Sequence, residues 1–288
     1  MKDLTVFILT HNRPVLVQTA IESVLRQEPF DFKFVVSDNS DDDKTEQILK
    51  EKPYFDKINY YHTNANGADR WHDIFSRVET EYFMVFHDDD EMLPNMVETL
   101  YQEITEKQLL AVGGNAKVYV NGVFSKNYMN LKKNTVVREF DLFAERWNTG
   151  GMAPFPSYIY NKLCMTVFPF DFPAGKFSDS VFIGNIIKKL GPVGNACTPV
   201  FIYNIHSGQD SASYDYLSDY YLYRYFKNNS SINNVFLKKY KIKILYRLMK
   251  AEFKKTKKIS KVKSKILFHN SIILYIRFHV IILSMLKN

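Results

Sequence analysis

Hydrophobic and polar positions change period several times along the first hundred residues. Thr5-Val-Phe-Ile-Leu-Thr10 is an unbroken apolar, β-rich run, the pattern of a strand covered on both faces. The turn His11-Asn12-Arg13-Pro14 follows, with proline placed to open a helix. Val17, Ala20, Ile21, Val24 and Leu25 then recur at helical spacing. A second strand, Lys33 to Ser37, runs into Asp38-Asn39-Ser40-Asp41. Helix 44–51, strand Ile58–His62 and helix 68–78 come next. The strand Tyr82–Phe86 stops at His87-Asp88-Asp89-Asp90. This alternation predicts an α/β fold, a mostly parallel central sheet flanked by helices. Such sheets bind ligands at the carboxyl ends of their strands. Three polar clusters stand at those ends, Thr10–Asn12, Asp38–Asp41 and His87–Asp90, and are expected to converge on one edge of the sheet.

Beyond Pro94 the pattern predicts a helix over 95–107. Residues 110–175 carry β-like pieces at Leu109–Val112, Lys117–Val120 and Pro156–Tyr160 among glycines and prolines. A helix over 179–190 is stopped by Gly191-Pro192, and strand Val200–Asn204 leads to His206. Residues 215–227 are Tyr-rich and helical, and 235–258 are basic and helical. Ile266 to Leu286 is apolar with Asn270, Arg277 and Ser284 seven residues apart on one helix face. We therefore expect one domain over 1–214, in two halves of about 1–107 and 108–214, and a helical, basic and amphipathic extension over 215–288.

Charge sharpens this division. Residues 236–288 hold 15 Lys/Arg against the single acid Glu252, a net +14 within a chain total of +7, so residues 1–235 carry −7. A basic tail on an acidic body points to a polyanionic partner. The lysines from Lys254 to Lys265 suit anionic headgroups, at roughly 1 kcal/mol each near the surface. The polar stripe of 266–286, with His269 and His279, suits a helix lying in the interface. The alternatives are a C-terminal helix packed on its own domain or on a second copy. No recognised nucleic-acid motif occurs, and no nucleic-acid partner is expected. The composition, 46% hydrophobic and 24% charged, is that of a folded chain and argues against general disorder. Cys164 and Cys197 form neither metal-ligand spacing nor a disulfide framework, which suits a reducing compartment. Leu4 to Leu9 is too short for a secretory signal.

Three adjacent carboxylates repel, and a hard divalent ion such as Mn²⁺ or Mg²⁺ relieves that repulsion. The same ion could bridge a diphosphate and neutralise a leaving group. On its own, an acidic triplet is equally a solvated loop. Its setting is more specific. Thr5–Arg13, then Ala20-Ile-Glu-Ser-Val-Leu-Arg-Gln27, then Val36-Ser-Asp-Asn-Ser-Asp41, then Phe86-His-Asp-Asp-Asp-Glu-Met-Leu-Pro94 resemble the family 2 glycosyltransferases, in their order and spacing. The resemblance covers roughly residues 3–210. It implies the A-type glycosyltransferase fold, of the bacterial surface-polysaccharide type, and a UDP-sugar donor, with 1–214 as the catalytic domain, its nucleotide-binding half about 1–107 and its acceptor half about 108–214.

The resemblance also implies roles. Asp38 would accept a hydrogen bond from the nucleotide base. Thr10, Asn12 and Arg13 would line the nucleotide pocket, and Asp41 would lie near the nucleotide, although an Asx turn explains it as well. Asn66, Gly67 and Arg70 would lie by the ribose and phosphates. Trp71 is expected in the core. Asp88-Asp89-Asp90 matches the DXD-type motif: Asp88 on the nucleotide-sugar, Asp89 and Asp90 on the metal. His87 stands where many members have an acid. Ser178-Asp179 matches the family's Glu-Asp segment, with Ser178 replacing Glu, and makes Asp179 the general base; a helix N-terminal acid is its other reading. His206, in Tyr203-Asn-Ile-His206, would contact the metal or the diphosphate. The expected reaction is inverting transfer to a glycan hydroxyl, possibly lipid-linked, with the protein cytoplasmic and peripheral at the inner face of the cell membrane. The rivals are a nucleotidyltransferase-like enzyme, for which no Gly-rich phosphate loop is present, and a silent scaffold or nucleic-acid binder using the basic tail.

Overall fold

The apolar runs of the first half do become central strands. In the computed structural model, which describes residues 1–171, 177–206, 216–231 and 234–256, the chain divides into two compact units, Met1–Gln209 and Asp210–Asn288. The first unit begins with β1 (Leu4–Thr10), α1 (Leu16–Leu25), β2 (Lys33–Asp38), α2 (Lys44–Lys50), β3 (Asn59–His62), α3 (Gly67–Ser76) and β4 (Tyr82–His87). These four strands lie in the order β3-β2-β1-β4, all parallel. The right-handed crossover logic of βαβ units accounts for the helical connections.

β1 is covered on both faces, as its unbroken apolar run requires. Leu4, Val6 and Ile8 join a core formed with Val17, Ile21 and Val24 of α1. Phe7 is fully buried on the other face. The short β5 (Glu91–Met92) and α4 (Met96–Glu106) follow, and Met96, Val97, Leu100 and Ile104 extend the same core.

The second half of this unit departs from simple alternation. It comprises β6 (Ala111–Val120), β7 (Val123–Asn127), β8 (Thr135–Val137), α5 (Phe140–Thr149), β9 (Tyr158–Asn161), α6 (Ser178–Lys189) and β10 (Val193–Ile205). β9 runs antiparallel between β4 and β6 and so joins the halves into one mixed ten-stranded sheet. β10 is parallel to β6 over its whole length, with bulges around Pro199. β6 passes close to its neighbours through Gly113 and Gly114. A Cβ on Gly114 would stand 2.1 Å from Val200 Cγ2. The predicted pieces 109–112 and 117–120 are thus one strand.

In the second unit, α7 (Tyr216–Asn229) and α8 (Asn234–Thr256) form a helical pair. Phe226 contacts Phe236 and Tyr240, with ring centroids 5.6 and 5.7 Å apart. The Tyr240 hydroxyl and Arg247 Nη1 both donate to buried Asp219, at 3.0 and 2.8 Å. The apolar stretch 266–286 and the lysines from Lys257 to Lys265 lie outside the described residues. Among the described residues, no helix is long and apolar enough to cross a membrane.

Candidate active site

The carboxyl ends of β1, β2 and β4 do converge. β1 pairs with β2 up to Thr10↔Asp38 and with β4 up to Leu9↔His87, so all three polar clusters emerge side by side. The first cluster is built on Asp88. Thr10 Oγ1 donates to its Oδ2 at 2.7 Å, and Arg13 Nη1 donates to its Oδ1 at 2.8 Å. Arg13 also reaches Asp89 Oδ2 at 3.3 Å, and His206 Nε2 lies 3.2 Å from that same oxygen. Asp90 turns the other way: its Oδ1 accepts from the Asn204 backbone N–H at 3.0 Å. The Asn204 side chain donates to the Asp89 carbonyl at 2.9 Å. β10, through its antiparallel pairing with β5, therefore clamps the acidic turn. Burial raises the pKa of Asp88 against the lowering effects of Thr10 and Arg13. Burial, and then the neighbouring Asp89, holds Asp90 well above the ordinary carboxylate range.

One oxygen in this cluster is unanswered. Asp90 Oδ2 is buried and no described residue hydrogen-bonds it, which is costly in a low-dielectric site. Ligand atoms of His87, Asp89 and Asp90 all lie within 4.8 Å of one another. Two carboxylates and one imidazole at that spacing fit a hard or borderline divalent ion. His87 therefore joins Asp89 and Asp90 as a potential ligand, and His206 touches the group through Asp89.

A second cluster is organised by Asp38. It is fully buried, and both oxygens are already used: Oδ1 accepts from the Ser40 N–H and hydroxyl, at 2.8 and 2.6 Å, and Oδ2 accepts from the Tyr60 hydroxyl at 2.8 Å. Asp38 thus shapes the loop 39–41. A ligand would reach it only through a remaining lone pair. Asn12, with φ of 54°, forms a reciprocal clasp with Asp41: its Nδ2 donates to Asp41 Oδ2 at 2.6 Å, and its Oδ1 accepts from the Asp41 N–H at 2.9 Å. Asp41 is therefore held by a side chain from another loop, not by a local Asx turn. Asn39 links this cluster to Asn66, at 2.8 Å. Gly67 opens α3 at φ +56°, a conformation other side chains rarely adopt. Arg70 of α3 lies beneath both clusters, donating to the Ser37 and Thr10 carbonyls at 2.8 and 3.2 Å. Burial lowers its pKa, partly offset by nearby Tyr61, Asp38 and Asp88. Trp71 is half-buried and packs on Phe75, Phe155 and Phe168, at the margin of the core.

Asp179 sits in the first turn of α6. Its Oδ1 accepts from the Ser180 N–H at 2.6 Å and from the Ser180 hydroxyl at 3.1 Å. Trp147 Nε1 of α5 donates to that hydroxyl at 2.9 Å. Burial pushes the Asp179 pKa up to about 6, although the Ser180 bonds pull it down. The residue is not remote from the triplet. Burial raises Tyr203, and it also feels the charges of Asp90, Asp89 and Asp179. Tyr128, whose ring lies 5.9 Å from that of Tyr203, feels Asp179 as well.

Sequence reasoning gave no role to several of these residues, His87, Asn204, Ser180 and Trp147 among them. His87 and Asn204 flank motifs that were read, so their positions were a usable signal. Ser180 and Trp147 carry no signal without the packing of α5 against α6.

Comparison with known proteins bears on the family and the fold. A curated relative, the Campylobacter jejuni GalNAc(5)-diNAcBac-PP-undecaprenol beta-1,3-glucosyltransferase, is 28% identical over 156 residues, 51% of this chain and 50% of the relative. The chain thus matches about half the length of that protein. Among solved structures, Staphylococcus aureus TarS 1-349 in complex with UDP-GlcNAc superposes with a TM-score of 0.63 at 17% identity, over 91% of this chain and 77% of that one. A longer S. aureus TarS structure gives 0.59 at 16% identity, over 88% and 44%. At these identities the likeness establishes the A-type glycosyltransferase fold. The model of Glycosyl transferase family 2 matches residues 5–167, which takes in β1 through β9 and both clusters at the strand ends; the chain belongs to that family.

Proposed function

We propose that this protein is an inverting glycosyltransferase that moves a sugar from a UDP-sugar to a saccharide hydroxyl of a lipid-linked glycan, in cell-envelope polysaccharide synthesis. The observation that carries the reading is a division of labour between carboxylates. Asp88, Asp89 and Asp90 gather at the strand ends. Asp179 makes no hydrogen bond to that triplet, and its pKa is pushed up to about 6. A transferase needs both: a site for the diphosphate and its counter-charge, and an isolated base for the acceptor.

Thr10, Asn12, Asp41, Asn66, Gly67 and Arg70 form the nucleotide pocket, with Asp38 beneath the base, and Arg13 and Asp88 lie towards the donor phosphates and ribose. Asp89, Asp90 and His206, joined by His87, would hold Mn²⁺ or Mg²⁺. Such an ion supplies positive charge against a developing diphosphate. Asp179 acts through Oδ2, since Ser180 occupies Oδ1. It takes the proton of the acceptor hydroxyl as that oxygen forms its bond to the anomeric carbon, from the face opposite the departing UDP. One C–O bond forms and one breaks, and the configuration inverts. A base of pKa about 6 is largely ionised at neutral pH, yet still basic enough to share a proton in the transition state.

The UDP-GlcNAc bound by TarS and the polyprenol-linked substrate in the name of the Campylobacter relative support the donor and acceptor classes. The basic stretch 236–288 supports a peripheral position at the cytoplasmic face of the cell membrane. Calorimetric titration with UDP and GDP, with and without Mn²⁺, tests the reading. Metal-dependent UDP binding is expected. Absence of binding to either nucleotide would sink it.

A further inference from the structure

An apolar corner of the first unit lies next to this site and has no part in the chemistry above. β6 and β7 form a hairpin closed by Asn121 and Gly122, at φ of 50° and 80°. At its tip Val120 pairs with Val123, and on its other side with Ile205 of β10. These three are 40%, 69% and 39% exposed. The preceding pair, Tyr119 and Phe124, is in ring contact at 5.7 Å, and Phe124 is 52% exposed. Successive residues of a strand point to opposite faces. The tip is therefore apolar on both faces, with Val120, Val123 and Ile205 on one and Phe124 on the other.

The hairpin strands themselves are basic, although the acidic triplet lies near Ile205 through Asn204 and His206. Residues 117–133 contain four Lys and no Asp or Glu, although residues 1–235 as a whole carry −7. Lys117 and Lys126 stand on the two hairpin strands behind the tip. A lipid surface would take up both apolar faces at once, and basic residues behind an immersed apolar tip meet anionic headgroups.

We propose that the β6–β7 hairpin tip is a wedge that inserts into an anionic lipid surface and holds the catalytic unit there. Ile205 immediately precedes His206, which touches Asp89. Insertion at Val120, Val123 and Ile205 therefore brings the strand end that carries the candidate site to the bilayer. The inference rests on the proposed function only for its purpose, the delivery of a lipid-linked acceptor.

The test uses the full chain with Cys197→Ser and Val123→Cys, carrying an environment-sensitive NBD fluorophore at position 123. Buried Cys164 is left in place. A control carries the label at Lys57→Cys, just before β3 at the opposite edge of the sheet. On adding phosphatidylglycerol–phosphatidylcholine vesicles, the tip label is expected to shift to the blue, brighten several-fold and be quenched by spin-labelled lipid. The control label and pure phosphatidylcholine vesicles should give no such response. Adding Phe124→Glu should lower the tip response at least tenfold. Vesicles that bind the protein while the tip label stays aqueous would overturn the proposal, because the basic C-terminal stretch would then be the sole contact. A blue shift that rises with protein concentration without lipid would also overturn it, in favour of a second copy of the chain. UDP binding is measured on the same labelled protein: its loss counts against the transferase reading, and the vesicle result stands separately.

Discussion

Replacing Asp179 by Asn should make the protein more stable and nearly inactive. The carboxyl titrates at about 6 in the folded protein against an ordinary value of 3.8, because burial penalises its charge. At 1.36 kcal/mol per pH unit, that gap costs the folded state about 3 kcal/mol once both forms are ionised. The sign follows from proton binding. Between pH 3.8 and about 6 the folded state holds the proton and the unfolded state does not, so stability falls as pH rises through this window. The full penalty applies above it. Asparagine keeps the shape and can still accept from the Ser180 N–H, but forfeits a favourable charge in the first turn of α6, about 0.3–1 kcal/mol. A net gain of about 2 kcal/mol at pH 8 is expected, or several degrees in Tm, shrinking to nothing or a slight loss near pH 3.5. Turnover should fall by about 10²–10⁴ with UDP affinity unchanged. Denaturant titration at the two pH values, beside a radiolabelled transfer assay, measures both. An Asn variant that is less stable at pH 8 and fully active would refute the reasoning and leave Asp179 a helix-terminal acid only.

Other substitutions separate the parts of the site. Asp89→Ala should weaken Mn²⁺-dependent UDP binding at least about 100-fold; calorimetry showing unchanged affinity would remove Asp89 from the metal set. Arg13→Ala removes the guanidinium that Asp88 and Asp89 share, leaving His206 beside Asp89. It should cost about 1–3 kcal/mol in metal-free urea denaturation, discounted for the partial exposure of Arg13, with part recovered by saturating Mn²⁺; a loss indifferent to metal would mean that the two cations do not share a site. Ser180→Ala removes a bond that lowers the Asp179 pKa, so the acid limb of the kcat/KM profile should move upward, and an unmoved limb would detach Ser180 from the base. Gly114→Ala sets a methyl 2.1 Å from Val200 Cγ2. It should destabilise by about 1–3 kcal/mol in thermal unfolding, and a neutral effect would show that β6 and β10 can part freely.

The first half of the fold was legible because parallel strands covered on both faces leave unbroken apolar runs, and β1, β2 and β4 begin or end within a residue of where those runs do. The second half was legible only in pieces. Pro199 argues against a strand by the ordinary rule, yet β10 continues through it by bulging against β6. β9 is four residues long and takes its place only by inserting between β4 and β6. α5 was not predicted at all, although Phe140, Phe143, Ala144 and Trp147 recur at helical spacing; the pattern is only two turns long and lies among glycines and prolines.

The candidate site divides along the same line, and the division changes the argument for an ion. From sequence, the case rested on repulsion among three adjacent acids. The structure answers much of that repulsion with protein groups. Thr10 and Arg13 meet Asp88, while Arg13 and His206 meet Asp89. Asp90 is different. The Asn204 N–H, brought from 114 residues away by the pairing of β10 with β5, satisfies one oxygen and helps to bury the other. No local pattern could reveal that. An acid confined this way either keeps a proton or meets a cation, and the nearby ligand atoms of His87 and Asp89 favour the cation. The case for Mn²⁺ or Mg²⁺ therefore turns on one buried oxygen of Asp90, more than on the number of acids beside it.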